Sequence, residues 1–185
     1  SEDHTRETVQ AYVERHPGKI IYHRNASDIQ DKNFEKSLRL GKGDFLKLAN
    51  DSLKWLPGSL KAMKEIVEAA RLLQPTLFFL NESRTTHQPI MLTHGLNELL
   101  EQASYHITWI GGFGVWKKQL EAMHDFSRHA SLQLAQTDVL LRLVSQTDRT
   151  IIYNLPFCQV LSTGRKGGYN IAKVFGKNYL QILKQ

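Results

Sequence analysis

Lys19, His23, Arg24 and Asn25, in the stretch GKIIYHRNASD, are side chains of the kinds that hydrogen-bond base edges or neutralise phosphate. Read as a strand, the stretch places Lys19, Ile21, His23 and Asn25 on one face and Ile20, Tyr22 and Arg24 on the other. Ser27 stands where it can cap a following helix, DIQDKNFEKSLRL, whose free N-terminal amides would hold a phosphate. The glycines of GKG end that helix, and Asp44 is placed to cap another over FLKLANDSLKWL. Strand, helix, glycine turn, helix is the order of a ribbon-helix-helix unit, in which two chains pair their strands and lay the ribbon in the major groove. Against this, Ile21 shares the polar face, and Asp28 and Asp31 lie just beyond the phosphate contact.

A second basic cluster closes the chain. Of the 24 Lys and Arg residues, six follow the last acidic residue, Asp148, and they account for the whole net charge of +6. Among them, Arg165 and Lys166 lie in the glycine-rich TGRKGGYN, which suits phosphate contact through side chains and backbone amides. It is not a phosphate-binding Walker loop, because no Lys-Ser/Thr pair follows the glycines. Lys173 and Lys177, four apart on a predicted final helix, share a face. A positive field of this kind favours an anionic partner: nucleic acid, an acidic protein face or anionic lipid.

Other chemistry is less supported. His124 and His129 are five apart, which does not align them as a helical zinc pair, and no metal site is expected. There is no Gly-x-Ser-x-Gly elbow, and the single Cys158 sits in apolar PFCQV, the setting of a packed thiol. No carboxylate pair stands out, so neither an enzyme nor a cofactor is expected. Trp109, Phe113 and Trp116, around GGFG, read as core side chains, with a base-stacking platform or a ligand pocket as the other uses of such rings.

The elements that must position these groups are mostly helical by periodicity. Leu46, Ala49, Leu53 and Leu56 follow helical steps, as do Leu60, Met63, Val67 and Ala70 after Pro57-Gly58, with Ser59 as cap. THGLNELLEQASYHI is a further helix, and one long helical pattern runs from Phe113 to about Val144. RTIIYNL reads as a strand, NESRTTHQP as a loop, and GGYNIAKVFGKNYLQIL as a final helix with Gly176 as a kink. RETVQAYVE is open between a strand, favoured by its β-branched residues, and a helix, which its glutamates and Ala11 equally permit. Pro17-Gly18 then makes a turn.

These patterns predict a mainly α fold with a small β component: a helical domain with a short N-terminal β-ribbon, ribbon-helix-helix-like. A single domain over 1–185 is expected, with a ribbon and helix element over about 6–56, a helical body over about 57–148 and a basic segment over 149–185. The 41% hydrophobic and 23% charged content is that of a globular protein. No apolar run reaches the roughly 18–20 residues of a membrane helix, so no membrane partner is expected. One cysteine excludes an internal disulfide and fits a cytoplasmic location.

The opening HTRETVQAYVERHPGKIIYHR, with His4, Thr5, Arg6, Thr8, Val9 and Gln10, resembles the start of an AcaB-like family of regulators carried by conjugative plasmids and integrative elements. The closing STGRKGGYNIAKVFGKNYLQIL is similar in placement to a basic helix near the end of those proteins, whereas GGFGVW has no counterpart there. The likeness spans about two dozen residues at each end. It implies a transcriptional regulator of transfer genes that binds double-stranded promoter DNA as a homodimer. The rival expectations are a helical adaptor of a transfer or secretion apparatus, and a single-strand nucleic-acid binder.

Overall fold

The computed structural model describes residues 4–81, 88–161 and 170–184. The chain divides into two compact units, 1–30 and 31–185.

In the first unit, the open choice at the N-terminus resolves as a helix, α1 (Thr5–Arg15). Its local chemistry is helical: Glu7 lies in the first turn and Arg15 in the last, complementing the helix dipole. Gln10 donates to Glu14 at 3.3 Å, and the Arg15 guanidinium lies 4.4 Å over the Tyr12 ring. Gly18, at φ 75°, supplies the left-handed residue of the turn after Pro17. Residues 19–30 then contain no strand. The expected β-ribbon is therefore absent from this segment, and with residues 5–15 helical no intrachain strand stands beside KIIYHRN to form a hairpin.

The second unit begins with α2 (Lys32–Leu40), preceded by Asp31 rather than capped by Ser27. It continues through β1 (Phe45–Lys47), β2 (Leu53–Trp55), α3 (Ser59–Ala70), β3 (Thr76–Phe79), β4 (Ile90–His94) and α4 (Gly95–Ala103). After a 3-10 turn over Ser104–Thr108 come β5 (Gly114–Trp116), α5 (Lys117–Ala122), α6 (Ala135–Thr147), β6 (Arg149–Tyr153) and β7 (Cys158–Val160). A π-helical segment, Ala172–Asn178, runs into α7 (Tyr179–Leu183). This is an α/β fold, not a mainly α domain with an N-terminal ribbon.

Three small sheets account for the difference. β3 runs parallel to β6 and β4 antiparallel to it, giving the order β3-β6-β4. β1 pairs with β5, and β2 with β7, both antiparallel. The expected helix over FLKLANDSLKWL is two strands, because Asn50-Asp51-Ser52 interrupts it and each half meets a partner far along the chain. The expected long helix from Phe113 to Val144 begins as β5 and becomes a long helix only at Ala135. The helices over 59–70 and 95–103 and the strand at 149–153 lie where their periodicity places them, although Gly58, not Ser59, is the N-cap of α3.

β3 is buried along its whole length, and its alternation organises the core. Leu77 and Phe79 pack with Met63 and Ala70 of α3, Trp116 and Tyr153. Phe78 and Leu80 belong to the larger cluster with Leu99, Val139, Leu140 and Val144 from α4 and α6. The sheet thus lies between α3 on one side and α4 with α6 on the other. The glycines of GGFG permit this packing. A Cβ at Gly111 would lie 2.6 Å from the Trp109 ring, at Gly112 3.0 Å from Phe78, and at Gly114 2.2 Å from Phe45. Three aromatic rings close over these positions because glycine leaves the room.

Candidate functional site

A cleft of about 970 Å³ opens in the second unit. Its walls come from parts of the sequence that share no motif: Phe34 of α2, Leu80 at the end of β3, Trp109 and Ile110 after the 3-10 turn, and Val174 and Phe175 of the C-terminal helix. Polar character comes from amides and one small aromatic pair. Asn50, Asn81, Gln133 and Gln136 line it, and the Tyr105 and His106 rings stack at 4.2 Å beside them. Among the described lining residues there is no Asp, Glu, Lys or Arg.

Gln136 is the most buried of the amides that line this cleft. It lies in the first turn of α6 and is only 8% exposed. Its Nε2 donates to the Thr108 carbonyl at 2.8 Å, which sets the orientation of the amide. Its Oε1 is buried with no hydrogen-bond partner among the described residues. The C-terminal helix is held to the adjoining turn by Asn178, whose Nδ2 donates to the Leu132 carbonyl at 2.9 Å.

Asn81 does structural work at the other end. With φ 57° it leaves β3 in the left-handed region, which asparagine tolerates. Its Oδ1 accepts from the backbone N–H groups of Phe157 and Cys158, both at 2.8 Å, and its Nδ2 donates to the Cys158 carbonyl at 3.0 Å. One side chain thereby ties the end of β3 to the start of β7.

Behind Trp109 lies a desolvated amine. Lys47 of β1 donates from Nζ to the Gly111 carbonyl, with Nζ 5.4 Å from the Phe79 ring centre and 5.7 Å from that of Trp109. Burial lowers its pKa to about 8, partly opposed by the nearby Cys158 sulfur. The same burial raises the Cys158 thiol, which is 7% exposed and packed as its apolar context implies. Burial of this kind disfavours the thiolate, the reactive form, although the nearby Lys47 amine opposes the shift.

On α6, Asp138 is 3% exposed and forms a salt bridge with Arg128, whose Nε lies 3.1 Å from Oδ2. Arg142 lies 3.2 Å from the same carboxylate and His129 3.9 Å from it. Arg142 also donates to the His124 carbonyl at 2.9 Å, so this cluster fastens the 124–129 loop to the helix.

The residues singled out by sequence fall in both units and in the segment outside the described residues. Lys19, His23, Arg24 and Ser27 are exposed and Asn25 is half-buried, all in irregular chain of the first unit rather than on a strand face. Arg165 and Lys166 lie outside the described residues. Lys173 and Lys177 are exposed on the π-helical segment, with Val174 between them buried, and the Asn170 side chain accepts from the Lys173 N–H at 2.9 Å. Of the three aromatic rings, Phe113 and Trp116 are core, and Trp109 is half-buried on the cleft wall. Gln136, Asn81, Lys47 and Asp138 escaped the sequence reading. An amide or an ion within an amphipathic pattern reads as a solvated position until the packing around it is known.

No protein-family model, curated protein or solved structure matches this chain. Among the described residues, no helix is long and apolar enough to cross a membrane.

Proposed function

We propose that the second unit is a binding domain for a small organic molecule, which it takes into the cleft around Trp109 and Gln136. The carrying observation is the cleft itself: about 970 Å³, with mostly apolar walls and a few convergent amides. This size and composition suit a ligand of drug-like dimensions. On this reading the chain is a binding protein, not an enzyme. The test is a thermal-shift screen of neutral and charged small aromatic and aliphatic compounds, repeated on Phe175→Arg, which places a long charged side chain on the cleft wall. Compounds that raise the melting temperature of the parent but not of the variant support the reading. A screen in which no compound discriminates between the two would refute it.

A second reading is favoured by Lys173 and Lys177, exposed on the helix whose neighbouring residues Val174 and Phe175 line the cleft. In it the chain is a regulator of transfer genes that binds duplex promoter DNA as a dimer, with these lysines on backbone phosphates. Duplex affinity should then fall steeply with salt, and replacing both lysines by Gln should shallow the salt slope by about two. Absence of any duplex binding at low salt would end this reading, and retention of a protein partner after nuclease treatment would favour the adaptor instead.

A further inference from the structure

We infer that the chain pairs with a second copy of itself through β4, whose open edge is complementary to its own two-fold image, so that the two β3-β6-β4 sheets join into one. Neither ligand binding in the cleft nor duplex binding is needed for this pairing.

The two edges of this sheet differ. On the outer side of β3, the Phe79 N–H donates to the Gly112 carbonyl at 2.6 Å and Phe78 bridges to Phe113, so that edge is covered. On the outer side of β4, no strand pairs with it among the described residues. Within Ile90–His94 there is no Lys, no Pro and no bulge in the register with β6, so the devices that ordinarily blunt an exposed edge are missing. The register sets Leu92 beside Ile151, and Ile151 beside Leu77, on one face of the sheet. α3 covers that face over β3 and β6, where Leu77 is fully buried and Ile151 half-buried. It stops short of β4, where Ile90 is 55% and Leu92 57% exposed.

The bonds to β6 fix which backbone groups face outward. The Asn154 N–H donates to the Pro89 carbonyl at 2.8 Å and the Gly95 N–H to the Asp148 carbonyl at 3.2 Å, one step beyond each end of β4. Met91 and Thr93 therefore bond inward, and Ile90, Leu92 and His94 turn their N–H and C=O groups to the open side. The His94 N–H is already taken by the Glu98 carboxylate at 2.7 Å. Complete donor and acceptor sets remain on Ile90 and Leu92, placed symmetrically about Met91. An antiparallel copy centred on Met91 sets Ile90 opposite the partner's Leu92 and Leu92 opposite the partner's Ile90. Every one of those N–H and C=O groups then finds a partner. The exposed Ile90 and Leu92 side chains meet in the same register as apolar cross-strand pairs. A register centred on Leu92 would instead need the His94 N–H that Glu98 holds. Two short strands make an interface below about 1,200 Å², the size of transient pairs, so the dimer dissociates on dilution.

Sedimentation velocity of the full chain from about 2 to about 500 µM should show the mean mass rising from one chain to two, with a midpoint on the order of 10–100 µM. Leu92→Pro removes an outward N–H and leaves the bonds to β6 in place, a position where edge strands accept proline. Ile90→Lys puts a charge on the pairing face. Each should weaken association at least about tenfold. Met91→Cys reads the register. Residues facing each other in a non-hydrogen-bonded pair lie about 4.5 Å apart at Cα, within disulfide reach. Leu92 and the partner's Leu92 are diagonal, about 7–8 Å apart or more, which is too far. Under mild oxidation Met91→Cys should therefore cross-link at least about tenfold faster than Leu92→Cys, with the parent chain and its buried Cys158 as control. If Met91→Cys does not fold, sedimentation of the parent and the other variants decides alone. A parent that stays monomeric at about 500 µM would overturn the pairing and leave the edge to a strand from another protein. A dimer unaffected by both Leu92→Pro and Ile90→Lys, or faster cross-linking at Leu92→Cys, would overturn it as well.

Discussion

Replacing Lys47 by Met tests how the interior around Trp109 treats charge. Met keeps most of the stem, adds a polarisable sulfur that suits contact with Phe79 and Trp109, and carries no charge. In the parent, burial lowers the Lys47 pKa from 10.5 to about 8, a penalty on the charged form of about 3 kcal/mol at neutral pH. The variant escapes this penalty. It forfeits the bond to the Gly111 carbonyl, about 1 kcal/mol, and the attraction of the cation to two rings, again about 1 kcal/mol. The net gain at pH 7 is therefore small, about 1 kcal/mol. The pH dependence is more decisive. Between about pH 8 and pH 10.5 the unfolded chain holds a proton on this amine that the folded chain has released, so parent stability rises with pH across that window. The variant lacks this rise. Urea unfolding of both proteins at pH 7 and pH 10, followed by tryptophan emission, should show the variant's advantage falling by about 2–3 kcal/mol and changing sign. A difference that stays constant between the two pH values would show that the Lys47 amine is solvated, and the reasoning would fail.

Two further substitutions probe the supports of the cleft. Asp138→Asn preserves volume but leaves Arg128 and Arg142 facing each other without their shared carboxylate, with the exposed Asp125 and, for Arg142, Glu35 as the remaining counter-charges. Loss of about 3 kcal/mol in chemical denaturation is expected, and a loss below about 1 kcal/mol would contradict the burial of that carboxylate. Gly111→Ala sets a methyl group 2.6 Å from the Trp109 ring, so the indole must move; stability should fall by about 1–3 kcal/mol and the tryptophan emission maximum should shift.

The legible parts of this fold are those where one local pattern agrees with the final packing. α3 and α4 carry helical periodicity and bury the matching residues, Met63 and Ala70 in one and Leu99 and Ala103 in the other. β6 is a β-branched run between turn residues, and it is the centre of a sheet. The N-terminal ribbon failed for the opposite reason. Alternation of Lys19, Ile21 and His23 fits a strand, but a strand exists only against a partner, and α1 leaves no neighbouring strand within the chain for an intrachain hairpin. In FLKLANDSLKWL the leucines satisfied helical and strand spacing alike, and the choice fell to β5 and β7, which lie about 70 and 105 residues away from their partners. The candidate site was almost wholly hidden, because Phe34, Asn81, Trp109, Gln136 and Phe175 come from five separated segments.

By itself the amino-acid sequence determined the composition of a globular chain, the confinement of its uncompensated positive charge to the residues after Asp148, several helices with the central strand, and the glycine run beside Trp109 that permits close approach. These follow from near-neighbour chemistry: periodicity, turn residues and the lack of a Cβ. The tertiary structure alone decided which apolar segments became strands, that Lys47 would be desolvated, and that the Gln136 side-chain carbonyl would be buried without a partner among the described residues. Strand pairing and desolvation depend on atoms brought from distant parts of the chain, and no local pattern specifies which atoms those will be.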